Sequence, residues 1–127
     1  MADLNPSARQ VLLDLADRCE REEPSVKLRI AIAQAVGWTW VQFGYVQWRN
    51  PSGYDASLPK FDESLDAAVT LVPEGWFLET LSDIFGDGMV YARLACPDPL
   101  REAQGWGARN RALTICAASL RARAEAL

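Results

Sequence analysis

The side chains able to do chemistry here are few, and histidine is missing altogether. Its absence removes the commonest general base, the usual metal ligand and every Ser-His or Cys-His nucleophile. Carboxylate pairs remain at Glu22 with Glu23, Asp62 with Asp66, and Asp83 with Asp87. On a helix, Asp62 and Asp66 would face one way, as two carboxylates must to hold a hard cation or share a proton. A metal-assisted hydrolase is the activity such a pair would serve. The plainer reading is a helix cap followed by a solvated first turn, and it takes precedence. Gly86-Asp87-Gly88 reads as a turn, because no helix follows to make it a phosphate cradle. No catalytic residue, metal ligand or cofactor is therefore expected.

The positive signal lies in the aromatics. Trp38, Trp40, Trp48, Trp76 and Trp106 are five tryptophans in 127 residues. Aromatic faces beside guanidinium groups bind purines by stacking, and Arg49 directly follows Trp48. Arg109 and Arg111, near the start of a C-terminal helix, would add anion contacts. The candidate ligand-binding set is thus Trp38, Trp40, Trp48, Arg49, Arg109 and Arg111, for a small nucleotide-type ligand. Trp76 follows a turn at a fixed place and reads as core. Aromatics of this kind also suit contact with a protein partner or a second subunit.

The elements that must position these residues can be traced along the chain. Asn5-Pro6 reads as a helix start, and Leu12, Leu15, Ala16 and Cys19 make an apolar stripe with Val11 on its flank. Ser25 caps a second helix carrying Leu28, Ile32, Ala35 and Val36, and Gly37 closes it. Residues 38–49 are rich in aromatic and β-branched types and read as one strand or extended loop, with Gly44 as a bulge or bend. Asp62 opens a short helix with Leu65, Ala68, Val69 and Val72 on one face, stopped by Pro73. Pro73-Glu74-Gly75 turns the chain into Trp76, and two strand-like runs around the glycine turn make a hairpin. Pro97-Asp98-Pro99 ends that hairpin. A loop then leads to Trp106-Gly107, and a final helix from about Ala108 sets Leu113, Cys116, Ala117 and Leu120 on one side. A small, mainly antiparallel sheet with helices against it is the natural packing, an α+β fold in one domain over residues 1–127.

Charge is segregated behind a net value of −4. Residues 61–98 hold Asp62, Glu63, Asp66, Glu74, Glu79, Asp83, Asp87 and Asp98 against Arg93, while Arg101, Arg109, Arg111, Arg121 and Arg123 dominate the end. Such a split argues against a general nucleic-acid binder, which needs one broad basic face. Most of these charges read as solvated faces and helix-dipole partners. No apolar run reaches membrane-span length and the first residues lack a signal-peptide pattern, so a cytoplasmic protein without membrane contact is expected. Cys19, Cys96 and Cys116, odd in number and widely spaced, read as reduced core residues.

Leu58-Pro59 through Ser64-Leu65-Asp66-Ala67-Ala68, with Leu71-Val72-Pro73-Glu74-Gly75-Trp76, resembles the signature of the phage α-β-α sandwich domain family. Residues 111–123 are similar to that family's C-terminal helix, and Leu15-Ala16-Asp17-Arg18-Cys19-Glu20 matches its N-terminal helices more loosely. Val26-Lys27-Leu28-Arg29 replaces the family's usual acidic turn, and residues 77–106 match poorly. The resemblance implies an α-β-α sandwich and a phage origin, hence the cytoplasm of a bacterial host, but no catalytic residues. With the Trp/Arg content it leads to the expectation of a non-catalytic, homo-oligomeric anti-defence protein that sequesters a nucleotide-derived immune signal. The alternative is a protein-interaction module that inhibits a host protein or assists phage assembly.

Overall fold

The computed structural model describes residues 7–42, 46–83, 90–97, 99–106, 108 and 110–127. Ser7 begins the first helix, α1 (Ala8–Arg21), its Oγ accepting the backbone N–H of Gln10 at 3.1 Å. The Asn5-Pro6 start lies outside the described residues. Leu12, Leu15, Ala16 and Cys19 are the buried side of α1, as their spacing predicts. Ser25 caps α2 (Val26–Ala35) through Leu28 N–H, and Gly37 leaves it at φ +103°, where a side chain would be strained. Leu28, Ile32 and Ala33 face inward.

Residues 38–49 are not one strand. They form β1 (Thr39–Gln42) and β2 (Val46–Arg49), paired antiparallel with Trp40 opposite Trp48. The connecting residues, Gly44 among them, lie outside the described residues. This hairpin is a two-stranded sheet of its own.

The next helix, α3 (Leu65–Val69), is shorter than expected and starts later. Ser64 caps it, its Oγ accepting from Ala67 N–H, so Asp62 is released for another role. Ala68 and Leu71 are buried while Leu65 and Val69 stay exposed, so the expected apolar face is rotated from the one the structure buries. Pro73 ends the run and Gly75, at φ +85°, turns the chain into the buried Trp76.

The second sheet is antiparallel with order β3 (Phe77–Asp83), β4 (Val90–Pro97), β5 (Leu100–Trp106). The third strand replaces the expected loop. Pro97 pairs with Leu100, so the sheet continues past Pro97 into β5 rather than ending there; Asp98 lies outside the described residues. The Gly86-Asp87-Gly88 turn is outside the described residues.

Asn110 caps α4 (Arg111–Glu125), its Oδ1 accepting from Leu113 N–H at 2.7 Å. Ala112 through Leu120 are all buried, as are Ala122 and Ala124. This helix packs against α1, α3, β4 and β5, which explains a sequence apolar on more than one side. Small residues allow the approach: a Cβ on Gly105 of β5 would lie 2.3 Å from the Thr114 carbonyl oxygen. The fold is α+β, with helices flanking a small antiparallel sheet. No described helix is long and apolar enough to cross a membrane.

Candidate functional site

The hairpin gathers the strongest candidates. Pairing of Trp40 with Trp48 puts both side chains on one face, where the rings meet edge-on at 4.8 Å between centroids. Such a contact fixes the two indoles against each other without burying them, and Trp40 remains 51% exposed. The chain then folds back. Asn50 Oδ1 accepts the N–H groups of Ser52 and Tyr54, and Asp55 forms a bridge with Arg49. This return brings Asp55, Ala56 and Ser57 beside Gln47 and the tryptophans, around an open cleft. Arg49 Nε donates to Asp55 Oδ1 at 3.2 Å. Tyr54 is 72% exposed on the same return.

The expected six-residue set does not converge as a whole. Trp40, Trp48 and Arg49 are together on the hairpin. Trp38 precedes β1 and packs edge-on against Phe61 at 6.5 Å, its backbone N–H donating to the Ala33 carbonyl, so it belongs to the rim of the core. Arg111 is the exposed first residue of α4, whose packing partners are α1, α3 and the three-stranded sheet. Arg109 lies outside the described residues. Gln47, Asp55 and Ser57 join the cleft unannounced. Asn50, with its propensity to fold the chain back on itself, is the signal that could have found them.

Two further tryptophans sit elsewhere. Trp76 is core, with the Arg101 guanidinium 5.4 Å over its ring. Trp106 belongs to β5, tilted against Tyr91 at 4.2 Å and 41% exposed.

The carboxylate pairs do not assemble a reaction centre among the described residues. Asp62 is fully buried, where Arg29 donates to both its oxygens at 2.6 and 3.3 Å; Asp66 is exposed in the first turn of α3. Asp62 also ties its loop to α4, its backbone carbonyl accepting from Asn110 Nδ2 at 2.9 Å. The Asp62 hydrogen bond raises the Arg29 pKa. Glu22 pairs with Arg18 rather than Glu23, and that hydrogen bond lowers the Glu22 pKa. Asp87 lies outside the described residues. Among the described residues no three Cys, Asp or Glu side chains group to hold a metal ion.

The three cysteines are buried and free, as their setting predicts. Burial pushes the Cys19 thiol up to about 12 and raises Cys116 well above the ordinary thiol range, so both are held protonated. Compared with known proteins, the chain matches no family model, no curated protein and no solved structure.

Proposed function

We propose that this chain is a non-catalytic binding protein whose recognition surface is the Trp40–Trp48 hairpin and its return through Asp55. One observation carries the reading: Trp40 faces solvent while held in edge contact with the half-buried Trp48, on a hairpin that also carries Arg49 and returns through the exposed Tyr54. Trp, Tyr and Arg dominate the binding energy of protein interfaces, and a preformed aromatic pair loses little rotamer freedom on docking. The first reading is a docking module for a protein. The sequence resemblance to phage domains supports taking that partner to be a protein of the bacterial host, met in its cytoplasm.

Sequestration of a nucleotide-derived signal is the second reading, favoured by the cleft's own chemistry. An exposed Trp40 face would stack a base, Gln47 and Asp55 would meet base or ribose groups, and Arg49 would turn to a phosphate. Two features weigh against it. The cleft is open, whereas small-ligand sites bury most of the ligand, and Arg49 already faces Asp55.

The test sets the wild type beside Trp40→Ala and Trp48→Ala. A host protein enriched at least tenfold on immobilised wild type, and lost on both variants, is the expected result. A thermal shift of several degrees with a cyclic or ADP-ribose-type nucleotide recovered unchanged would install the second reading instead. Ligand at a hundredfold excess over Kd adds about 2.7 kcal/mol. Equal behaviour of wild type and variants in both assays would refute the hairpin as the recognition surface.

A further inference from the structure

A second site, independent of the hairpin, centres on a guanidinium without a counter-ion. Arg18, Arg29, Arg49, Arg93 and Arg121 each face a carboxylate. Arg123, half-buried in the last turns of α4, faces none among the described residues. Its Nε donates to the Leu71 carbonyl at 2.9 Å, which holds the group in place and leaves the Nη1 and Nη2 edge without an acceptor among the described residues. Burial alone moves the Arg123 pKa, and it moves it down, the mark of a cation desolvated without compensation. A place near the negative end of the α4 dipole offsets part of that cost. Yet the hydrogen bond runs across to Leu71 and not to the terminal carbonyls of α4.

The same side chain lines two cavities. One is a cleft of about 590 Å³ between the start of α1, the end of α2 and the end of α4, walled by Ala8, Val11, Leu12, Ala35 and Val36. Arg123 has the sole charged side chain among the described residues that line it. The other is a chamber of about 210 Å³ with Trp38, Phe61 and Leu71 in its wall, and it shares Val36 and Arg123 with the first. A cleft of several hundred Å³ with apolar walls and one convergent charge has the makeup of a small-molecule site.

From this we infer that the cleft binds a small amphipathic carboxylate, its head on the Nη1/Nη2 edge of Arg123 and its hydrocarbon body along Val11, Leu12 and Val36. Charge fixes the class of ligand. A single guanidinium, with no second cationic side chain among the described lining residues, matches a monoanion, and its planar fork matches a carboxylate's two oxygens. The other described lining side chains are apolar and offer no partner for further polar groups, which disfavours sugars and nucleotides in this cleft.

Isothermal titration with sodium octanoate, 1-octanol and acetate separates the contributions of head and body. Octanoate is expected to bind the wild type at least tenfold more tightly than octanol, which lacks the charge, and than acetate, which lacks the body. Arg123→Gln is expected to lose at least tenfold for octanoate, and Arg123→Lys to recover part of it. Octanoate binding no tighter than octanol, no octanoate binding, or an unchanged affinity in a folded Arg123→Gln variant would each overturn the inference. The octanoate and octanol comparison needs no variant and stands even if Arg123→Gln fails to fold. Loss of the hairpin in Trp40→Ala leaves octanoate binding unchanged, so the two proposals fail separately.

Discussion

Gly105→Ala probes the close approach of β5 to α4. A Cβ there would lie 2.3 Å from the Thr114 carbonyl oxygen, 3.1 Å from Ala118 N and 3.3 Å from Ala117 Cβ. The first two are backbone atoms of α4, so no side-chain rotation relieves them. Restoring an ordinary contact of about 3.4 Å moves β5 off α4 by about 1 Å, and a gap of that size forfeits up to about half of each dispersion contact it opens. The neighbouring Ala103, Ala92 and Leu94, all buried, would share that loss. Overpacking costs about 1–3 kcal/mol, and a backbone clash belongs at the upper end. Alanine recovers about 0.5–1 kcal/mol by restricting the unfolded chain. The expected net destabilisation is about 2–2.5 kcal/mol. At about 3–5 °C per kcal/mol for a chain of this length, Tm falls by about 6–12 °C. Urea unfolding measures it, with an unchanged m-value showing that both end states are intact. Adding Ala117→Gly relieves only the 3.3 Å contact and leaves most of the loss. A Gly105→Ala variant within about 0.5 kcal/mol of wild type would refute the packing of β5 on α4.

Other consequences can be measured on the same samples. Asp62→Ala leaves Arg29, whose side chain is 14% exposed, without its main buried partner, and should cost about 3 kcal/mol in urea unfolding. Asp62→Asn keeps the shape and removes the charge; stability equal to wild type would show that the pair is dispensable. The raised thiols predict alkaline sensitivity. A group whose pKa is higher in the folded than in the unfolded state stabilises below its unfolded value, and that contribution is lost as pH rises. Stability should therefore decline from pH 9 toward 12, less so in Cys19→Ala, and native thiols should resist alkylation at pH 8. Rapid native labelling of Cys19 would contradict its burial. The Glu22–Arg18 pair acts with the opposite sign. Its lowered carboxyl stabilises above the ordinary glutamate value and loses that contribution as pH falls below it; being well exposed, the pair supplies at most about 1 kcal/mol, checked with Arg18→Gln in acid.

Local signals were legible wherever a residue acts on its own neighbours. Ser25 and Gly37 bracket α2, and Leu12, Leu15, Ala16 and Cys19 define the buried face of α1 because helical spacing reports one-sided burial. Signals carried by small residues were not legible. β5 turns Ala103 and Gly105 to the helix, and neither gives an apolar alternation that marks a strand. Asp62 has the type and place of a cap, but its partner Arg29 is 33 positions away, a pairing that no local pattern encodes. Trp38 shares strand parity with Trp40 and Trp48, yet the chain reaches Trp38 before β1 begins, so parity says nothing of its direction. Of the candidate site, the aromatic pair was visible from composition; its polar rim was not, since Asp55 arrives only through the turn at Asn50. Arg123 read as a dipole partner because missing counter-ions are a property of packing.

The burial of α4 also has a consequence in time. Its side-chain ties from Arg121 to Asp17 and Glu20 span 104 and 101 positions, and α1 cannot cover its apolar stripe until α4 arrives. On the ribosome, Leu12, Leu15 and Cys19 are made roughly a hundred residues before the helix that hides them. At about 5–20 residues per second, that leaves an adhesive helix waiting for several seconds. Closure then requires a long loop to be fixed in one step, which slows folding. During that interval a nascent-chain holdase would have more to grip on α1 than on any surface of the finished protein.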